Sequence, residues 1–398
     1  MSMPSAVRHI NEARILESLY RNGSTTRADL ARELRLMRST VGNLIANLVG
    51  QGLVSETEIS GSGSGGRAGR PGQLVQLNPA HAAFIGVDIG VGHISVVAVD
   101  LVGHCFKSQT QLFNPPFGEV QATVDTVVAT VQAFIRQIPP EQPVHGICMA
   151  VPGLLDRSGT VLRAPVLGWN AVPIENLVRS KLAWTGVLAS ENDANAFAAA
   201  ELYSRSPATS SDALFVYLDA GIGGGLVSQG TLLRGHRGYA GEIGHIHLGE
   251  QGFDPLTPIQ GSFESYVGRN AVLARYQQHG GKAGSLEQIV AALAAQEPAA
   301  LSTIAEWAWW LGRGIASLVS VFDPGRIVLG GPVAALYPYA AAQTEESVRK
   351  HLVQPTNQPH IEVSQLGSDA CAIGAAMTLH HELLSIDERL VYGAASET

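Results

Sequence analysis

The chain has 398 residues, 45% hydrophobic and 15% charged, which suits two or three packed domains and excludes a largely disordered protein. Its net charge of −8 excludes a general polyanion binder, yet residues 1–75 carry nine Arg against six acids, a local +3 that can set a few arginines against DNA phosphates. No run approaches the roughly 20 apolar residues of a membrane helix, the start MSMPSAVRHINEARILESL lacks a signal-peptide pattern, and three scattered cysteines (Cys105, Cys148, Cys371) give no disulfide framework, so a reducing cytoplasm is expected.

Residues 10–20 place Ile10, Ala13, Leu16 and Tyr20 at helical spacing, a packing helix. Thr26 can cap a second helix, with Asp29 in a capping-box position and Leu30, Ala31 and Leu34 on the buried face. After a short turn, Val41, Leu44, Ile45 and Leu48 mark the apolar face of a third helix over Arg38–Val49. Its opposite face, starting at Arg38, Ser39, Thr40 and Asn43, stays polar and can meet base edges or phosphates. This is the helix-turn-helix layout. Met37 stands where a Ser or Thr cap is usual, and Gly42 inside the helix costs roughly 1 kcal/mol. Extended segments follow at Gly52-Leu53-Val54 and at Leu74–Leu77, separated by SGSGSGGRAGRPG. They read as a wing hairpin whose basic tip, Arg67 and Arg70, reaches a minor groove. A flexible Gly/Ser linker is the alternative for this stretch, and a packing module without DNA contact the alternative for the whole segment.

From Phe84 onward, apolar extended runs alternate with helical stretches. FIGVDIG and ISVVAVD form a hairpin; HGICMAVPG, ALFVYLD, RIVLGG and IEVSQL read as buried strands, and residues 303–322 and 370–384 as helices. An α/β body with two lobes and a cleft follows.

The motifs Asp88-Ile-Gly90, Pro152-Gly153, Glu191-Asn-Asp-Ala-Asn195, Gly221-Ile-Gly-Gly-Gly225, Gly241-Glu-Ile-Gly-His245, Gly330-Gly331 and Gly374-Ala-Ala376 occur in the order of one family. Over about residues 8–384 the chain resembles the ROK family (repressors, open reading frames, kinases), and its helix-turn-helix start places it with the repressor branch. The resemblance implies an α/β protein: an N-terminal winged helix-turn-helix (1–78), then a two-lobed actin-like ATPase (ribonuclease H-like) body, with a first lobe at 79–190 and a second at 191–398 whose C-terminal helices return toward the first. It implies a sugar in the cleft, with Asp193 at the position of the kinases' catalytic base and Asn192, Glu242, His245 and Glu264 at sugar-hydroxyl contacts. Carboxylates accept from hydroxyls and Asn both donates and accepts, so the set suits a polyol. Without the family, Asp193 and Asn195 read as helix caps and Glu242 with His245 as a buried pair. Trp169 could supply a wall of the cleft.

The phosphate chemistry departs from the family's kinases. Their Asp-x-Gly is followed by a Gly-Thr stretch facing phosphate; here the run is Asp88-Ile-Gly90-Val91-Gly92-His93. A second Gly-Thr is replaced by Asp219-Ala220, and Asp219 would repel polyphosphate. Gly223–Gly225 can serve either as a backbone anion nest or as close strand packing. The family's zinc segment also fails: its cysteine positions fall on Pro255, Thr257 and Ser262, so neither zinc nor ATP is expected. No extra basic cluster near the cleft signals a sugar phosphate. The expectation is a non-enzymatic, sugar-responsive regulator, a repressor of carbohydrate-uptake or catabolism genes. It would bind a double-stranded DNA operator as a homodimer or homotetramer and make no membrane contact. The alternatives are a sugar kinase with an appended DNA domain and a regulator governed by a protein partner.

Overall fold

The computed structural model describes residues 3–58, 73–203, 211–255, 257–282, 284–356 and 358–385. The chain opens with α1 (Met3–Asn22), β1 (Thr25–Thr26), α2 (Arg27–Glu33), α3 (Arg38–Gly50), β2 (Val54–Glu58) and β3 (Gln73–Leu77). Thr26 caps α2: its Oγ1 accepts from the Asp29 amide at 3.2 Å and donates to the Asp29 carboxylate at 2.6 Å. Met37 precedes α3 in extended backbone and offers no side-chain cap. Ile15, Leu16 and Leu19 of α1 meet Leu30, Val41, Ile45 and Leu48, and the hairpin closes this core with Val54, Val75 and Leu77. Strands β2 and β3 pair antiparallel from Val54↔Leu77 to Glu58↔Gln73, and β1 joins β3 on its other side. A hairpin beside a helix pair is a winged helix-turn-helix; Arg67 and Arg70 lie outside the described residues.

The body contains two five-stranded sheets built alike. In the first, β4 (Ala83–Gly90), β5 (His93–Asp100) and β6 (Cys105–Leu112) form an antiparallel meander. After α4 (Val120–Ile135), β7 (Val144–Val151) runs parallel to β4. A small sheet of β8 (Leu154–Leu155), β9 (Val161–Ala164) and β10 (Trp169–Val172) leads to α5 (Ile174–Leu182) and β11 (Val187–Asn192), parallel to β7. Next comes α6 (Asp193–Tyr203). The second sheet repeats the scheme with β12 (Asp212–Leu218), β13 (Ile222–Ser228) and β14 (Thr231–Leu232) antiparallel. Helices α7 (Phe263–Val267), α8 (Arg269–Gln278), α9 (Leu286–Ala294) and α10 (Pro298–Phe322) precede β15 (Arg326–Gly330); α11 (Tyr337–His351) precedes β16 (His360–Val363); both strands run parallel. The chain closes with α12 (Ala370–Leu384). Two sheets with this shared order make the mixed α/β, actin-like ATPase fold. No helix among the described residues is long and apolar enough to cross a membrane.

Helices α6 and α12 pack against each other, α12 covering β4, β5 and β7 while α6 covers β12 and β13. Glycines make these approaches possible. A Cβ at Gly374 would stand 1.6 Å from the Ala196 carbonyl oxygen, and one at Gly86 would stand 1.8 Å from that of Ala372. Alanine at position 374 would gain roughly 1 kcal/mol of helix propensity, so any loss reports the backbone contact. Gly374→Ala should cost about 1–3 kcal/mol of unfolding free energy in a urea melt; an unchanged or raised midpoint would show that the two helices can part.

Candidate functional site

A cleft of about 540 Å³ opens between the two sheets. The first lobe contributes Asp88 near the end of β4, Gly90-Val91 in the β4–β5 turn, Pro152-Gly153 beyond β7, and Phe117. Asn192 ends β11 and Asp193 begins α6, so one strand-to-helix junction places both in the cleft. Across it stand Asp219–Gly223, Glu242, His245, Thr257, Glu264 and Arg269. Thus all five residues expected at the sugar, the four hydroxyl contacts Asn192, Glu242, His245 and Glu264 and the base position Asp193, line one cavity.

Their hydrogen bonds show what holds them. Asn192 Nδ2 donates to the Gly153 carbonyl at 3.1 Å, while its Oδ1 accepts from the Asn195 amide at 3.0 Å. Asn192 is therefore the side chain that caps α6, not Asn195, whose amide is buried on Glu191 at 3.2 Å. Glu191 in turn pairs with Arg234. Asp193 Oδ1 accepts from the Ala194 amide at 2.8 Å. Capping and cleft-lining coexist at this junction. Glu242 and His245 approach to 3.4 Å and His245 and Glu264 to 3.6 Å. The first pair is not buried, since each side chain keeps about a third of its surface exposed (36% and 35%). Glu264 also accepts from the Thr257 hydroxyl at 2.8 Å.

Charge accumulates here. Among the described residues, Asp88, Asp193, Asp219, Glu242, Asp254 and Glu264 line the cleft, with Arg269 and His245 as basic groups. Burial first, then Asp88, push the Asp193 carboxyl up to about 7, and Asp219 and Glu242 add to the effect. Burial also raises Glu242, against the opposing pull of His245. His93 Nε2 sits 3.0 Å from Asp88 Oδ2, and that bond raises the imidazole's affinity for its proton.

Two sequence readings change and an open one is decided. Trp169 is buried in the first lobe's core and does not line the cleft; Phe117, 76% exposed, does. The Gly118 amide donates to the Leu167 carbonyl at 3.0 Å and the Phe117 ring lies on Gly168, where a Cβ would meet it at 2.6 Å. A Phe inside Asn-Pro-Pro-Phe-Gly, a turn sequence with no packing reason for an aromatic, was the available signal. Second, of the two roles open to Gly223–Gly225, close packing is the one the fold shows. They lie in β13 opposite Tyr217, Val216 and Phe215, and Cβ atoms on Gly223 and Gly225 would meet those of Ala194 and Ala198 at 2.6 and 2.1 Å. Third, Asp219 does not face the cleft as an unmatched charge, because Arg269 pairs with it; periodicity could not link residues 50 apart.

Among the described residues no group of three His, Cys, Asp or Glu could hold a metal ion. Backbone bonds tie the loop after His245: Leu248 donates to Gly261 at 2.8 Å, Phe253 to Ser265 at 2.7 Å and Phe263 to Ile246 at 2.8 Å. Arg275, fully buried, stacks its guanidinium on Phe253 at 4.0 Å. In α3, Arg38, Ser39 and Asn43 are exposed and Thr40 half-buried, on the side opposite Val41, Leu44 and Leu48.

A carboxyl that binds its proton more tightly in the folded chain than in the unfolded one loses stability as it ionises. Through Asp193 the fold therefore weakens as pH rises from about 4 to about 7. Asp193→Asn should melt close to the wild type near pH 4 and increasingly above it toward pH 7.5; a difference constant with pH would contradict the raised pKa.

Comparison with known proteins agrees with this geometry. The ROK family profile matches residues 84–382 and the MarR family profile residues 9–67. The xylose repressor of Bacillus spizizenii is 27% identical, covering 96% of this chain and 97% of its own. A crystal structure of a ROK family transcriptional regulator, a homolog of the E. coli MLC protein, superposes with a TM-score of 0.79 at 22% identity over 98% of this chain and 100% of its own. A ROK glucokinase from Streptomyces griseus, in complex with glucose and AMPPNP, gives a TM-score of 0.65 at 28% identity over 74% of this chain and 98% of its own. With a profile match over most of its length and a winged helix in front, the chain belongs to the ROK family.

Proposed function

We propose that this protein is a sugar-responsive, DNA-binding transcriptional regulator: a cytoplasmic repressor of carbohydrate-uptake or catabolism genes whose effector occupies the interlobe cleft. One observation carries the reading. A polar, exposed recognition-helix face and a polyol-suited cleft occur in one chain, and the repressor resemblance runs through both modules, whereas the glucokinase structure matches 74% of the chain.

Asn192, Asp193, Glu242, His245 and Glu264 hold the effector's hydroxyls, and Phe117 gives its ring an apolar face to rest on. Six acids in the lining, with Arg269 spent on Asp219, favour an uncharged sugar over a sugar phosphate. Arg38, Ser39, Thr40 and Asn43 meet bases or phosphates, with Arg67 and Arg70 on the wing. A homodimer or homotetramer would present paired modules to half-sites roughly 34–36 Å apart or a multiple. The cleft loop works without zinc, because Pro255, Thr257 and Ser262 supply no thiolate.

A kinase must hold ATP phosphates and magnesium in line with the attacking hydroxyl. Here the first phosphate turn carries no hydroxyl, Asp88 is engaged by His93, and a Cβ at Gly90 would lie 2.1 Å from that imidazole. Asp193 is then a vestigial base. The kinase reading keeps one supporting observation: an Asp193 pKa of about 7 suits proton abstraction.

A thermal-shift screen of sugars, beginning with D-xylose and D-glucose and their phosphates, should find a neutral sugar that raises Tm, with the shift lost in Glu242→Ala. A shift with phosphates alone would overturn the neutral-sugar assignment. ATP consumption with that sugar should stay at background; turnover abolished by Asp193→Asn would establish the kinase. For DNA, Arg38→Ala should weaken binding to a selected operator duplex by about 1–3 kcal/mol; unchanged binding across a salt series would remove Arg38 from the interface.

A further inference from the structure

Tyr20 belongs to the DNA-facing module, on α1, but its side chain leaves that module for the body. The hydroxyl donates to the Tyr203 main-chain oxygen at 2.8 Å. Tyr203 is the last described residue of α6, so the Tyr20 bond reaches the far end of that helix from the cleft. The Tyr20 ring lies against His380 of α12, centroids 4.8 Å apart. It also approaches the β5–β6 turn, where a Cβ on Gly103 would stand 2.8 Å from the hydroxyl. His380 is itself tied to that turn, its Nε2 meeting the Leu101 carbonyl at 2.9 Å. One side chain of the DNA module thus touches α6, α12 and the first lobe together. Burial pushes the Tyr20 hydroxyl up to about 12, so it stays a donor throughout the working pH range.

The other end of α6 begins at Asp193 in the cleft. Its 11 residues span roughly 15 Å at about 1.5 Å per residue, and a helix packed this tightly moves as one body. We propose that Tyr20 is the contact through which cleft occupancy reaches DNA. An effector that draws on the start of α6 displaces the Tyr203 carbonyl relative to the β5–β6 turn. Tyr20, bonded to one and packed on the other, carries that displacement into α1 and so into the placement of α3. The inference rests on the regulator reading. It differs from simple packing because it assigns the effect to the hydroxyl: the ring alone would hold the module in place.

The test uses the full chain, a duplex selected from a random pool by the wild type, and D-xylose and D-glucose as probes. Sugar affinity is read by calorimetry and DNA affinity by fluorescence anisotropy, with and without saturating sugar. Tyr20→Phe keeps the ring and removes the bond. It should bind sugar, and DNA without sugar, within about threefold of wild type. The sugar-induced change in DNA affinity, on the order of 5–150-fold between coupled sites, should fall to under about a third of the wild-type value. Gly103→Ala, which crowds the same hydroxyl, should uncouple in the same way. A Tyr20→Phe chain that keeps the full sugar response overturns the assignment. A wild type that binds sugar but whose DNA affinity ignores it overturns the regulator reading itself, and the coupling with it, so the two failures are told apart.

Discussion

Helix α6 can lie where it does only because glycines or small residues face it on two sides. Gly223 and Gly225 of β13 leave no room for a side chain beside Ala194 and Ala198, and Gly374 of α12 rests on the Ala196 carbonyl. Cavities and overlaps in a close-packed interior are both costly, so these contacts fix the helix within a narrow margin. The placement decides what the helix ends do. Its start brings Asp193 and the capping Asn192 into the cleft; its last described carbonyl meets the DNA-facing module at Tyr20. A single packed element therefore has one end at the ligand cavity and the other at α1.

The cleft's chemistry follows from the same placement. Burial of Asp193, and then its acidic neighbours Asp88, Asp219 and Glu242, make its carboxyl bind a proton near neutrality. Such an environment suits a polyol, which gives hydroxyl protons to carboxylates and brings no charge of its own. Internal pairing restrains the repulsion among the acids: His93 engages Asp88, Arg269 engages Asp219, and Arg234 engages Glu191 behind the cleft wall.

Much of this was legible in the residues. Strands β4 and β5, the helix pair with its Thr26 cap, and the five residues expected in the cleft all carry local patterns or ordered motifs, and local patterns can be read from sequence. The open and mistaken readings share one cause. Nothing local to Gly223–Gly225 decides between an anion nest and strand packing, and nothing local pairs Asp219, because Ala194, Ala198 and Arg269 lie 27 or more positions away. Trp169 looked like a ligand wall because large aromatics often are; the β9–β10 hairpin turns it into the core. Phe117 was overlooked for the converse reason, sitting in a turn where no periodicity draws notice. Tyr20 read as one more packing residue of α1, and nothing local distinguishes a tyrosine that packs from one that also reaches Tyr203.

The central claim is that occupancy of the cleft is reported to DNA instead of being spent on phosphoryl transfer. The most direct measurement follows both outputs in one sample: anisotropy of a labelled operator duplex bound to the wild-type chain, titrated with a neutral sugar in the presence of magnesium and ATP, while ADP formation is recorded. The account predicts release of the duplex at saturating sugar with no ADP above background. Steady ADP production with the duplex still bound would contradict it.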